Sequence, residues 1–429
     1  MLLTEYRLEL VVQALRTILP LEHPADTSLR YFFQAERIGS NERALIAETV
    51  FGVLRHRLFL EHGCGEQTTP RRLALAYWVR FGGYNLRELN PLLKPTESEW
   101  LAQLKSIKVE ALPLSVQAEL PAWIIEKLRA HYTEAEILAL GTSMQQAAGL
   151  DLRVNTYLAN RNEVLAGLQA EGVTATTTPY SPIAIRVKGK PALNKSPLFE
   201  GGKFEVQDEG SQLLGFLVAP RRNEMVVDFC AGAGGKTLML GAMMNSQGRL
   251  YALDVSEKRL ANLKPRLKRS GLSNLQPQLI AHENDIKVKR LAGKIDRVLV
   301  DAPCSGLGTL RRNPDLKFRQ SEQSVAELSV KQGNILAAAS KLLKHGGRLV
   351  YATCSLLHEE NQQIVESFLA THAEFKLVPA GEVLAQQKIP LEMGEYLQLF
   401  PQKHGTDGFF AAVMEREATI KPVAVDTAE

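Results

Sequence analysis

Two cysteines stand just behind apolar runs, where the chain leaves a strand. Cys304 follows Val298-Leu-Val300 within DAPCSGLGTLRRNPD, residues 301–315, and Cys354 follows Arg348-Leu-Val-Tyr-Ala-Thr353. A cysteine that only packs belongs inside the apolar run. These two sit past it, Cys304 beside a proline and three residues from Asp301, a placement that suits a nucleophile. The other two cysteines, Cys64 and Cys230, share no C-x-x-C spacing with them, so neither a zinc site nor a disulfide framework is expected. Cys64 has no chemical partner nearby in sequence. The Cys230 thiol reads as packing behind its strand.

A glycine-rich loop supplies the second piece of chemistry. CAGAGGKT, residues 230–237, follows the strand-like Met225-Val-Val-Asp-Phe229 and leads into an apolar helix. A phosphate-binding P-loop requires glycine where Cys230 stands, and a dinucleotide fingerprint requires Gly or Ala where Thr237 stands, so both fail. Gly232, Gly234 and Gly235, followed after a second strand by Asp254, suit an adenosine ligand lacking a long phosphate chain. The glycines admit the ligand to the backbone, and Asp254 accepts from the ribose hydroxyls. S-adenosylmethionine fits best. A thiolate beside a methyl donor then suggests attack on carbon 6 of cytosine, which makes carbon 5 nucleophilic enough to take a methyl group. A second thiol is suited to help remove the carbon-5 proton. Asp301 can balance charge at the ring nitrogen.

These groups need an edge that gathers them. Beyond Gly201 the pattern repeats strand, loop, helix, and successive strands end at Asp254, Asp285, Asp301 and Cys354. Open parallel sheets bind ligands at the carboxyl ends of their strands. The expected fold is therefore α/β, a Rossmann-like domain over 201–415. Before it, residues 121–200 mix short strands with helices and read as a small α+β module. Apolar residues at helical spacing (Leu8, Val11, Val12, Leu15, Ile18) mark an all-α N-terminal domain within 1–120, whose proline-richer end, from Pro91 to Pro121, reads as a linker. A polar tail, 416–429, is expected to be disordered. The chain has 429 residues, 45% hydrophobic and 23% charged, with a net charge of +4, which permits a nucleic-acid partner without requiring one. No secretory signal stands at the start, and no apolar run approaches the roughly 20 residues of a membrane span. A cytoplasmic protein with free thiols is expected.

DAPCSG-x-G-x-x-RR-x-PD and YATCS-(x)3-EEN resemble the signature segments of the RsmB/NOP family of RNA cytosine-5 methyltransferases. DFCAGAGGKT resembles that family's cofactor loop, and Arg153-Val-Asn155, Phe204-Glu-Val-Gln-Asp208 and Asp407-Gly-Phe-Phe410 match its habits. The resemblance implies that Cys354 is the nucleophile and that Cys304 assists release of the product. It implies a cofactor pocket built from Cys230, Ala231, Gly232, Ala233, Gly234, Gly235, Lys236, Asp254, Asp285 and Asp301, with no metal. The N-terminal region, chiefly Glu48-Thr-Val-Phe-Gly-Val-Leu-Arg55, resembles the NusB-like RNA-binding domain of the family's bacterial 16S rRNA members. The implied partner is a single-stranded or unfolded RNA segment, and the implied protein is a monomer.

One departure stands out. Where the family reads CAAPGGKT, this chain has Gly232 and Ala233, a loop with more conformational freedom before it binds. Arg311, Arg312, Lys317 and Arg319 follow Cys304 closely and are expected to hold phosphates beside the target base. A tRNA substrate, or a non-catalytic ribosome assembly factor on the same fold, are the alternatives. Keeping both thiols, Lys236 and the strand-end acids argues against the second, because binding alone requires no thiol. A DNA cytosine-5 methyltransferase lacks support, since neither its Glu-Asn-Val segment nor a target-recognition insertion is present.

Overall fold

The structure, a computed structural model, describes residues 2–418. The chain forms two compact units. One holds the residues up to Ala147 together with Thr309–Glu322; the other holds Ala148–Gly308 and the chain from Gln323 onward.

The first unit is helical. Helix Glu5–Ile18 starts where the Thr4 side chain accepts from the Arg7 amide, satisfying one of the donors a helix start leaves open. It buries Leu8, Val11, Val12, Leu15 and Ile18, as their spacing predicts. Helix Ser40–Arg55 carries Gly52 against Tyr77 of helix Pro70–Arg80; a Cβ there would meet the Tyr77 ring at 2.1 Å. Behind them, the Trp78 indole donates to Thr49 at 2.9 Å. The stretch expected to be a linker is largely structured: helix Glu97–Ser106 sends Leu101 and Leu104 into the same core. Proline punctuates its flanks, and that punctuation masked the helical spacing between. Helices Ala122–Arg129 and Glu134–Met144 lie within residues expected to open the small α+β module, and by their contacts they group with this unit. Gly141 lets the second approach the Ala118 backbone, where a Cβ would lie 2.3 Å from the carbonyl oxygen.

Segment Thr309–Glu322 completes this unit. Lys317 is buried, its ammonium donating to the carbonyls of Arg55 (2.9 Å) and Glu119 (2.7 Å) and pairing with the Glu119 carboxylate at 3.1 Å. Glu119 also accepts from the amides of Leu58 and Phe59. Lys317 was expected to hold phosphate, but it is committed inside the protein. Arg319 pairs with Asp315 at 3.5 Å.

The second unit contains two sheets. The smaller has β1 (Leu150–Val154), β2 (Ala175–Thr177), β3 (Ala184–Val187) and β4 (Phe204–Val206) in the order β2-β3-β1-β4, all antiparallel. Its last strand lies beyond residue 200, so the module extends past its expected end. The larger sheet has β5 (Met225–Asp228), β6 (Arg249–Asp254), β7 (Leu275–Leu279), β8 (Ile295–Asp301), β9 (Leu343–Thr353), β10 (Phe375–Val378), β11 (Tyr396–Leu399) and β12 (Phe409–Arg416). The order β10-β12-β9-β8-β5-β6-β7 is parallel from β9 to β7, and β12 runs antiparallel to β9, β10 and β11. Alternate residues feed two cores: Val226, Leu250, Leu299 and Val350 on one face, Val227, Tyr251, Val300 and Tyr351 on the other. Burial on both faces is what a parallel sheet requires. Pro277, which cannot donate to a ladder, is tolerated because β7 is an edge strand. β12 continues through Arg416, into the expected tail; residues 419–429 lie outside the described residues.

The buried Lys317–Glu119 pair yields a stability prediction. Lys317→Ala leaves an uncompensated carboxylate in the helical unit and should cost about 3–5 kcal/mol. Urea unfolding measures it, and a loss below ~0.5 kcal/mol, the range of ordinary surface changes, would mean the ammonium is solvated.

Candidate active site

The parallel strands diverge at β5, with β6 and β7 on one side and β8 and β9 on the other, and ligands bind at such switch points. The glycine-rich loop leaves β5 here. Gly232 has φ +56°, and open space surrounds the position a Cβ would take. Gly234, at φ +80°, meets Leu263 so closely that a Cβ would lie 2.2 Å from it, so no other residue fits there. Asp254, at the end of β6, accepts from the Gly232 amide at 2.8 Å and the Ser256 amide at 2.7 Å. A carboxylate has about four lone-pair sites, so two remain for ribose hydroxyls. Asp285 is less available. It ties the turn after β7, accepting from the Ala281 and Lys287 amides at 2.8 Å each, and those amides hold its carboxyl below the usual range.

Two arginines that sequence reading did not assign to the pocket brace this loop. Arg266 donates to the Ala233 carbonyl at 2.6 Å and to Glu205 at 3.0 Å. The buried Arg153 donates to Gln207 and to the Gly235 carbonyl, and burial pushes its guanidinium down to about 10. Arg153 had a sequence signal in the RVN segment; Arg266, on a surface-like helix, had none.

Asp228, the last residue of β5, was also missed. It is buried, accepts from the Thr237 hydroxyl at 2.7 Å through one oxygen, and its other oxygen has no hydrogen-bond partner. Burial pushes its carboxyl up to about 7, against the opposing hydrogen bond from Thr237. An unpartnered buried oxygen, an open glycine face and a carboxylate with spare lone pairs fit an adenosyl ligand.

The strands β8 and β9 bring the thiols together. Asp301 pairs with Ala352 across the ladder, and the Ala302 amide donates to the Ala352 carbonyl at 2.9 Å. The two loops therefore leave from adjacent strand ends, and the sulfurs of Cys304 and Cys354 lie 3.4 Å apart. Gly308 closes the first loop. Its amide donates to the Cys354 carbonyl at 2.8 Å, and a Cβ there would lie 2.2 Å from the Gly408 carbonyl oxygen. Beside them Lys236 pairs with Asp301 at 2.6 Å, its ammonium 5.9 Å from the Phe409 ring centre. Burial alone would lower Lys236, but the Asp301 charge and hydrogen bond outweigh it and hold the group above its usual value. Cys304 is held well above the ordinary thiol range, first by its hydrogen bond with Cys354 and then by burial. Cys230 packs among apolar side chains, and burial raises its thiol strongly. Cys64 lies in the helical core, pushed up to about 11 by burial. Arg311 and Arg312 stand in the segment that folds with the helical unit.

The switch-point loop, its strand-end acids and the sheet order define a Rossmann-like, S-adenosylmethionine-dependent methyltransferase. Residues 215–415 match the profile described as 16S rRNA methyltransferase RsmB/F, and residues 120–194 the ferredoxin-like domain of RsmF/B-like methyltransferases. The chain is 31% identical to ribosomal RNA small subunit methyltransferase B of Yersinia pseudotuberculosis, covering 88% of this chain and 91% of that protein. It is 35% identical to the probable ribosomal RNA small subunit methyltransferase B of Synechocystis, over 72% of this chain and 69% of the relative. Among solved structures, the crystal structure of PH0851 is similar with a TM-score of 0.79 and 26% identity, covering 97% of this chain and 100% of that one. The chain belongs to the RsmB/RsmF family and is an RNA methyltransferase.

Asp228 generates a pH prediction. Its folded value, about 7, lies above the usual 3.8, so its contribution to stability is complete below the unfolded value and is lost as pH rises through 7. Asp228→Asn cannot titrate. Thermal unfolding of the ligand-free protein at pH 4 to 8 should show the wild type falling relative to this variant by on the order of a few kcal/mol. Parallel curves would mean Asp228 is ionised throughout.

Proposed function

We propose that this protein methylates carbon 5 of a cytosine in 16S rRNA through a transient bond between Cys354 and carbon 6 of the base. The observation that carries this reading is the pair of sulfurs 3.4 Å apart at the ends of adjacent parallel strands. The family profile and the names of the relatives support the RNA target. Gly232, Gly234, Lys236, Asp254 and Asp228 would hold the cofactor, with Asp285 lining the adenosine side. S-adenosylmethionine supplies, when bound, an electrophilic methyl group on a sulfonium.

The protein's own groups do the rest. Cys354 gives up its proton to solvent and attacks carbon 6 as a thiolate, forming a carbon–sulfur bond and moving the ring's electron pair toward carbon 5. Asp301, oriented by Lys236, would balance the charge of the ring nitrogen as that nitrogen takes a proton from solvent and returns it when the ring re-forms. Once the Cys354 sulfur is bonded to carbon, it neither carries charge nor accepts the hydrogen bond from Cys304. The leading influence that keeps Cys304 protonated disappears, and its proton passes to solvent. The Cys304 thiolate then takes the proton from methylated carbon 5, the carbon 5–carbon 6 double bond re-forms, and Cys354 leaves as thiolate. The base must be unstacked to reach the sulfurs, which favours a loop or an unfolded segment of rRNA.

Cys354→Ala should lower methyl transfer by at least about 10³-fold and form no adduct. Cys304→Ala should still attack and methylate once, then stall as a covalent RNA complex, visible as a slow, nuclease-sensitive band on a denaturing gel. The opposite pattern would swap the roles, and full activity in both variants would dispose of the covalent mechanism. Arg311 and Arg312 are assigned to RNA phosphates. Reversing both charges should reduce the salt slope of RNA binding by about 2 while leaving cofactor affinity unchanged. An unaltered slope would remove them from the RNA interface.

A further inference from the structure

Glu360 is fully buried, and its carboxylate is held by four hydrogen-bond donors, none of them charged. One oxygen accepts from the Ser305 amide at 2.8 Å and from the Gln332 side chain at 3.0 Å. The other accepts from the Ser305 hydroxyl at 2.5 Å and from the Ser355 hydroxyl. Ser305 follows Cys304 and Ser355 follows Cys354, and the two hydroxyl oxygens lie 3.1 Å apart. Gln332 also donates to the Pro303 carbonyl at 2.9 Å, on the other side of Cys304. The neighbouring residue secures the second loop: Asn361 donates to the Ser355 carbonyl at 3.1 Å and accepts from Thr353 at 2.5 Å. One acid therefore bridges the residues that follow the two thiols.

We propose that Glu360 is the positioning residue that sets the spacing of the two thiols, by clamping Ser305 and Ser355 onto a single carboxylate. The inference deepens the cysteine chemistry proposed above and rests on it for its catalytic meaning. A buried carboxylate held by neutral donors is costly in solvation, and two loops could be joined more cheaply by apolar packing. A carboxylate instead gives fixed direction: its four or so lone-pair sites match four donors, so neither loop can slide without leaving a buried group unpaired. Its charge also adds to the influences that keep Cys304 protonated, after the hydrogen bond with Cys354, burial and the charge of Cys354. Glu360 touches neither sulfur in this arrangement; it acts through the serines.

The test uses the full-length protein and the thiol–disulfide equilibrium of the Cys304–Cys354 pair in glutathione buffers. Two thiols form one disulfide as glutathione disulfide is reduced to two glutathione thiols, and peptide mass mapping identifies the pair. Glu360→Ala should bind S-adenosylmethionine within about twofold of wild type by calorimetry, yet lower the effective concentration of one thiol for the other by about tenfold or more. Its kcat should fall by about tenfold or more with KM for RNA unchanged, and Glu360→Gln, which keeps part of the clamp, should lie between. A folded, cofactor-binding Glu360→Ala with wild-type thiol equilibrium overturns the proposal. If that variant does not fold, Ser355→Ala releases its arm outright, since only its hydroxyl reaches Glu360, whereas Ser305→Ala keeps the amide bond; a wild-type equilibrium in Ser355→Ala would overturn the proposal as well. The thiol equilibrium needs no methyl transfer, so an active Cys354→Ala would defeat the covalent reading while leaving this measurement to judge the clamp.

Discussion

The register between β8 and β9 places Asp301 opposite Ala352 and Val300 opposite Tyr351, and the chemistry at this edge follows from that pairing. Parallel neighbours end on the same side of a sheet, so two loops that leave them in step are held side by side by main-chain hydrogen bonds. A slip of β8 by one residue would send Val300 to the opposite core and offset the two loops by about 3.3 Å. The core therefore enforces the spacing at this edge: the same alternation that buries Val300 and Tyr351 brings the two sulfurs to 3.4 Å. Gly308, with its amide on the Cys354 carbonyl, repeats the constraint one turn later.

Charge is arranged around this frame with little margin. Three strand-end carboxylates, Asp228, Asp254 and Asp301, share one edge with the ammonium of Lys236. The protein separates their tasks by environment. Asp254 is held by amide donors, Asp301 pairs with Lys236, and burial pushes the Asp228 carboxyl up to about 7. The loop whose family proline is replaced by Ala233 is held from outside, through Arg266 on its carbonyl and Arg153 at the start of the following helix. Rigidity that a proline ring would give locally is supplied here by long-range hydrogen bonds.

The methyltransferase sheet was legible because its residues obey short-range rules. Apolar runs, glycine loops and strand-end acids recur in order, and Cys304, Cys354, Lys236, Asp254 and Asp301 all fall within motifs a few residues long. What escaped was set by distance. Nothing local marks Arg266 as reaching Ala233, or Asp228 as a buried acid with an empty lone pair. Lys317 looked like part of a basic surface cluster because its partner, Glu119, is far away in sequence. The helix at Glu97–Ser106 was hidden by prolines on its flanks, and β4 fell beyond a boundary drawn at the start of the strand–helix repeat.

The helical unit is not contiguous in sequence. Its core acid, Glu119, pairs with a lysine 198 residues further on. On a ribosome adding roughly 5–20 residues per second, that gap lasts about 10–40 s. Through that interval the first 147 residues exist as helices without the segment that completes them, and Glu119 must stay solvated or protonated. The last step in forming the helical unit thus waits on synthesis of the loop that carries Cys304. The unit made first is finished only after strand β8 has been translated.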